Sequence, residues 1–225
     1  MRAGERAGEQ AANRPHDGPR GGPTGCSASR DEAYWGTMTG HSGTDRHHNP
    51  TYIDDRFPGA DPYAPLTDLP PLTVTSSSFS DGDRLPAEQC GPDGVSPQLS
   101  WEAGPEGTES YAVTCYDPDA PTGSGYWHWA VFNIPADVTE LPVGAGDNDL
   151  VGLPEGAVAL KGDNGSRGYY GANPPEGHGP HRYIYTVHAV PERLDVSDRA
   201  RPAILGFTLN FTATARGMIW GWTEN

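Results

Sequence analysis

Cysteine, lysine and long apolar runs are what this 225-residue chain has least of. Its three cysteines, Cys26, Cys90 and Cys115, cannot all pair within the chain and follow no regular spacing. That excludes a disulfide-stapled scaffold and points to a reducing compartment. Lys161 is the one lysine, so fourteen of the fifteen basic residues are arginine, and thirty acidic residues bring the formal charge to −15. So acidic a surface excludes nucleic acid or an anionic membrane as partner, and any anion must be held by a local site. No apolar stretch is long enough to span a bilayer. The first thirty residues, with Arg2, Glu5, Arg6, Glu9, Arg14 and Asp17, lack the apolar centre of a signal peptide. The expectation is a cytoplasmic protein with no stable membrane insertion.

Branched aliphatic residues are nearly missing from residues 1–65, which are rich in Gly, Pro, Arg, Asp and His. Such a composition buries too little surface to offset chain entropy, so this stretch is expected to be a disordered tail. Met38 offers a second start, in which case residues 1–37 are not translated. His41, His47 and His48 lie in the tail without further ligands at metal-binding spacing and read as solvated side chains.

What is present begins near residue 66. Short strands are predicted over 72–75, 110–117, 127–134, 157–161 and 182–190, separated by Gly/Pro loops. Both parities of 110–117 are apolar or aromatic, Tyr111/Val113/Cys115 and Ala112/Tyr116, as in a central strand covered on both faces. In a regular second strand His128 shares a face with Ala130, Phe132 and Ile134, and Trp127, Trp129 and Val131 take the other. Residues 202–215 read as a helix opened by Pro202. The prediction is one mainly β domain over residues 66–225 with little helix.

Two clusters carry chemistry. Asp117-Pro118-Asp119-Ala120-Pro121 ends the central strand, and Tyr126-Trp127-His128-Trp129 opens the next. Aspartate and proline are ordinary turn formers, so the pentapeptide alone is equally a rigid turn. His128, eleven residues beyond Asp117, returns to the neighbouring strand end, where Asp117 or Asp119 can orient and charge its imidazole. The second cluster, Tyr169-Tyr170-Gly171-Ala172-Asn173-Pro174-Pro175-Glu176-Gly177-His178-Gly179-Pro180-His181-Arg182-Tyr183, sets a stiff proline wall before a strand headed by His181 and Tyr183. Imidazoles, a phenol and an acid around a cavity suit a small anion such as phosphate, with aromatic walls for an attached group. The same ligand types suit Zn²⁺ or Fe²⁺, although no local spacing supports a metal. Ser124 lacks a strand-to-helix elbow and reads as a loop serine, and Cys115 as a core thiol. Arg182 is assigned a structural ion pair with Asp117 or Asp119. His188 is read as a satisfied side chain within its strand, and His178 as a loop residue.

These motifs, with Asn133-Ile134-Pro135, Phe79-Ser80-Asp81-Gly82 and Ser96-Pro97-Gln98-Leu99-Ser100-Trp101, resemble the phosphatidylethanolamine-binding protein (Raf kinase inhibitor protein) family, in its bacterial and archaeal branch. The resemblance covers roughly residues 66–225. It implies a β-sandwich-like fold with a large central antiparallel sheet, a smaller sheet and a short C-terminal helix. It further implies an anion pocket lined by Asp117, His128, His181 and Tyr183, with Pro121, Tyr126, Trp127, Pro174 and Pro175 at its rim and Asp119 and Arg182 as structural support. A cis Ala120–Pro121 bond and a homodimer are implied as well. Where bacterial relatives show a Gly-Gly-Pro type run before the proline pair, this chain has Tyr170-Gly171-Ala172-Asn173. The expected function is non-enzymatic binding of a small anion or phosphorylated head group, without cofactor, metal or catalytic residue. The alternatives are a hydrolase or metal-dependent enzyme using His128 and His181, and a module that inhibits a kinase or protease.

Overall fold

The computed structural model describes residues 52–54, 57–147 and 150–225. The second start at Met38 and the histidines of the tail lie outside these residues. The elements run β1 (Tyr52–Asp54), β2 (Phe57–Ala60), β3 (Val74–Thr75), β4 (Leu99–Trp101), β5 (Ser110–Asp117), β6 (Tyr126–Pro135), β7 (Glu140–Leu141), β8 (Val158–Ala159), β9 (His181–Val190), α1 (Pro202–Thr212) and β10 (Ala215–Thr223). A five-stranded antiparallel sheet in the order β10-β9-β5-β6-β8 dominates, with a three-stranded sheet β3-β4-β7 and the pair β1-β2 beside it.

The two parities of β5 and β9 explain the layers. Tyr111, Val113, Cys115, Tyr185 and Val187 meet Leu99, Trp101 and Leu141 of the small sheet in one core. On the opposite face Ala112, Ala130 and Phe132 pack under Leu205 and Leu209 of α1. A fully buried leucine contributes roughly 1.5–3 kcal/mol, so these two residues account for much of the docking of α1. The mainly β fold, its larger and smaller sheets and its short helix are therefore as expected, but the helix does not end the chain. It leads into β10, the sheet edge, which sequence reasoning left unassigned. β10 carries Gly217 and Gly221 where the preceding loops cross it: a Cβ on Gly217 would strike the Leu72 carbonyl oxygen, and one on Gly221 the Leu85 side chain.

β6 departs from regular alternation twice. Tyr111 faces Ile134 but Val113 faces Val131, so one extra residue is inserted, and Asn133 takes φ +57° there. The Asn133 amide fixes this bulge by donating to Leu194 O at 3.1 Å and accepting from Leu194 N at 2.7 Å. Ile134 consequently joins the core of Val131, not the face of Ala130 and Phe132. The second insertion falls at His128, because Cys115 faces Trp129 while Tyr116 faces Trp127. Trp127 is thereby separated from Trp129: its ring meets Tyr116 at 4.5 Å, tilted by 40°, and lies near Gly206 of α1, whereas Trp129 packs in the other core against Tyr169.

Packed structure also starts earlier than residue 66. Tyr63 is buried with Ile184 and Trp220, and Ala60 O accepts from the Arg182 guanidinium at 3.2 Å. Among the described residues of this stretch Tyr63 is a buried aromatic anchor that the overall composition conceals.

Candidate functional site

At the ends of β5, β6 and β9 the side chains of Asp117, His128, His181 and Tyr183 come together. The Asp117 carboxylate is buried and fully used. Oδ1 accepts from Asp119 N at 2.8 Å and Ala120 N at 3.0 Å, and Oδ2 accepts from His181 Nδ1–H at 2.8 Å. Charge-assisted bonds of this kind are about twice as strong as neutral ones, so the turn and the imidazole are held by one group. All described peptide bonds are trans, which corrects the cis Ala120–Pro121 expectation. The trans form is intrinsically favoured, and the Asp117 bonds already close the turn.

His181 Nε2 lies 2.7 Å from His178 Nδ1. One proton sits between the two rings: His178 donates when His181 is neutral, and His181 donates when it is an imidazolium. His178, read as a loop residue, is thus part of the site. Its signal was present as Gly177 and Gly179, whose φ of +71° and +88° fold the loop back over the strand.

His128 is buried where β6 bulges. Its Nδ1–H donates to Tyr170 O at 2.8 Å, which turns Nε2 towards the pocket as the free ring position. Its ring stands 5.0 Å from Tyr183 edge-on, is stacked on Tyr170 at 5.7 Å and meets Tyr126 at 4.9 Å. Burial holds the His128 imidazole below its ordinary range, while the Tyr170 bond and the Asp117 charge pull the other way. The Tyr183 hydroxyl is buried with no hydrogen-bond partner in the protein, and burial together with Asp117 pushes its ionisation far up. It therefore stays a neutral hydroxyl.

The Asp119 carboxylate takes the Arg182 guanidinium in a fork, Nε to Oδ2 at 2.8 Å and Nη2 to Oδ1 at 2.7 Å, and also accepts Arg182 N at 2.9 Å. Asp119, not Asp117, is the partner of Arg182. Of the rim residues, Tyr126 meets the His128 ring, and Pro174 is buried with its carbonyl oxygen accepting from Asn225 Nδ2 at 2.7 Å. Pro175 and Pro121 are exposed. Trp127 is on the other face of the sheet and leaves the rim. The Tyr170–Asn173 run is anchored from behind: Ala172 N donates to Gln89 O at 2.9 Å and Gly91 N to Ala172 O at 2.7 Å. Tyr170, named within the second cluster but given no role there, gains one because only the fold stacks it on His128.

Nucleophilic chemistry finds little support. Asp117–His181 has the form of the orienting half of a catalytic relay, but its outer nitrogen meets an imidazole and no hydroxyl or thiol. Ser124 is exposed, and Cys115 is buried with its thiol pushed well up by desolvation. Among the described residues no group of three or more His, Cys, Asp or Glu side chains is placed to hold a metal ion.

A two-layer antiparallel β fold with an Asp/His/Tyr cluster at its strand ends is what the comparisons with known proteins can be set beside. The phosphatidylethanolamine-binding protein family model matches residues 75–221. The chain is 48% identical over 155 residues to the UPF0098 protein YbhB of Escherichia coli, covering 66% of this chain and 97% of YbhB. A UPF0098 protein of Methanothermobacter thermautotrophicus is 38% identical over 131 residues, covering 57% of this chain and 83% of its own length. The crystal structure of Escherichia coli YbcL, described as a new member of the mammalian PEBP family, aligns with a TM-score of 0.65 at 44% identity, covering 68% of this chain and 98% of that one. The chain belongs to the phosphatidylethanolamine-binding protein family. Among the described residues no helix is long and apolar enough to cross a membrane.

Proposed function

We propose that the chain is a non-enzymatic binding protein whose pocket takes a small anion, phosphate or a phosphorylated head group. One observation carries this reading: the buried Tyr183 hydroxyl has no partner in the protein and stands beside His128 and the Asp117–His181 pair. A buried hydroxyl without a partner is costly, and an anion oxygen satisfies it. Against the anion, His128 Nε2 accepts a phosphate O–H proton while its Nδ1–H is given to Tyr170 O, and the donors are Tyr183 O–H and, when it carries a proton, His181 Nε2. The last becomes available when His178 swings aside. Affinity is modest, since no arginine or lysine is among these donors and the chain is strongly acidic, and it rises at acid pH once His128, held below its ordinary range by burial, takes up a proton. The same reading keeps the protein in the cytoplasm as a homodimer, which sedimentation equilibrium tests.

Titration with millimolar inorganic phosphate or phosphoethanolamine, followed by NMR, should move the His128 and His181 ring resonances. Tyr183→Phe should weaken the effect by roughly ten- to a hundredfold, the loss of one hydrogen bond to a charged group. Ring resonances that stay in place across the titration would sink the proposal.

A further inference from the structure

The other face of the large sheet carries a cavity of about 560 Å³ that the anion pocket does not share. Its roof is α1, one wall is Pro62–Leu66, and its floor is formed by β5 and β9. That wall lies outside the part of the chain matched by the family model. The size falls within the range of small-molecule sites.

The lining is divided. At one end Trp127, Phe207 and Leu209 present apolar surface, and Gly206 keeps space open beside the Trp127 ring, since a Cβ there meets nothing closer than 3.7 Å. Glycine is a poor choice within a helix, and here it preserves volume. At the other end Thr114, His188 and Arg216 gather on adjacent strands, with Arg216 opposite His188 in register. Thr114 is 2% and His188 5% exposed; His188 Nδ1 is without a hydrogen-bond partner, and Thr114 Oγ1 lies within reach of the Tyr63 hydroxyl alone. His188 was read as satisfied within its strand; the structure corrects this, because the ladder occupies only its backbone. Arg216 lies over the Tyr63 ring at 5.2 Å and donates to Thr67 O at 3.3 Å. Arg201, just before α1, adds a second cation to the lining, and α1 has no acidic residue in its first turn. The acid of the lining, Asp163, accepts from Trp127 N at 2.9 Å.

We propose that this cavity is a second ligand site and takes an amphipathic carboxylic acid of the fatty-acid type. The carboxylate sits at Arg216 with Thr114 O–H and His188 Nδ1–H donating to it, and the hydrocarbon lies along Trp127, Leu209 and Phe207. The buried His188 Nδ1–H then gains the partner that the protein withholds, and Thr114, taking the Tyr63 O–H proton, is free to point its own hydroxyl hydrogen at the carboxylate. Arginine suits the planar carboxylate, and the apolar end excludes a fully hydrated ion.

Calorimetric titration of the full chain with laurate, below its micellar concentration, tests the assignment against dodecanol. Laurate should bind one to one and more tightly than dodecanol. Arg216→Gln should weaken laurate by about threefold or more while leaving dodecanol unchanged, as loss of a partly exposed charge pair does. Gly206→Leu, which favours helix and fills the space beside Trp127, should weaken both by roughly tenfold or more. Phosphate shifts at His128 and His181 should be the same in Gly206→Leu, so failure here is distinct from failure of the anion pocket. If Gly206→Leu does not fold, Phe207→Glu at an exposed position of the lining should repel laurate instead. Absence of saturable laurate binding, binding that survives both substitutions, or displacement of laurate by phosphate would overturn the proposal, and equal affinity for dodecanol would overturn the carboxylate assignment.

Discussion

Asp117 and Asp119 are separated by one residue and do different work. Asp117 spends one oxygen on the turn and the other on His181, while Asp119 reaches outward to the Arg182 fork. Their residue types marked a site, but which acid met which base was not legible. His128 had seemed the natural partner of the acids because it is nearer in sequence; strand pairing places His181 against Asp117 instead, 64 positions away. Burial also separates the histidines. Desolvation and the neighbouring Arg216 hold His188 at about 3, against an ordinary value of about 6.5. Unfolded chains therefore take up a proton below pH 6.5 that the folded protein refuses. The stability that a neutral His188 contributes is complete above about pH 6.5 and is lost as the pH falls towards 3. At about 1.4 kcal/mol per pH unit, the loss between pH 6.5 and 4.5 reaches about 2–3 kcal/mol. His188→Gln should flatten this part of the urea-measured stability profile, and a variant with the same slope as the parent protein would refute the assignment.

Among the elements, β6 and β10 show where periodicity stops informing. A rule of two assigns faces correctly along β5, but β6 inserts a residue at His128 and another at Asn133, and each insertion exchanges the faces beyond it. Nothing in Trp127-His128-Trp129 announces the first bulge, since the partner strand sets it. The glycines of β10 and α1 have opposite meanings, which gives a paired test. Gly217→Ala should destabilise by roughly 2–3 kcal/mol, because its Cβ would collide with the Leu72 backbone. Gly206→Ala should stabilise by about 0.5–1 kcal/mol, because its Cβ finds only ordinary contact with Trp127. Thermal melts read both, and shifts of the same sign would show that the backbone packing is misassigned.

For the molecule as a whole, one sheet supports two chambers. Asp117 and His128 open to one face at the strand ends, and the adjacent Tyr116 and Trp127 line the cavity on the other. The stretch before residue 66 completes the second chamber through Tyr63, whose ring covers Ile184 and Trp220. Tyr63→Ala in the full chain should therefore lose about 3 kcal/mol, the usual cost of deleting a buried aromatic. An unchanged melting temperature would show that Tyr63 does not anchor this stretch.

Composition, periodicity and motif spacing were enough for the mainly β class and the Pro202 helix start, which rest on local preference, and the family resemblance of the motifs supplied the larger and smaller sheets and singled out Asp117, His128, His181 and Tyr183, whose side chains the fold brings together. The pairing of Asp119 with Arg182, the His178–His181 bond, the bulge that turns His128 away from Ala130, the removal of Trp127 from the rim and the whole second cavity came from the folded chain. Each depends on contacts between segments far apart in sequence, where strand register and burial, rather than local propensity, choose the neighbour.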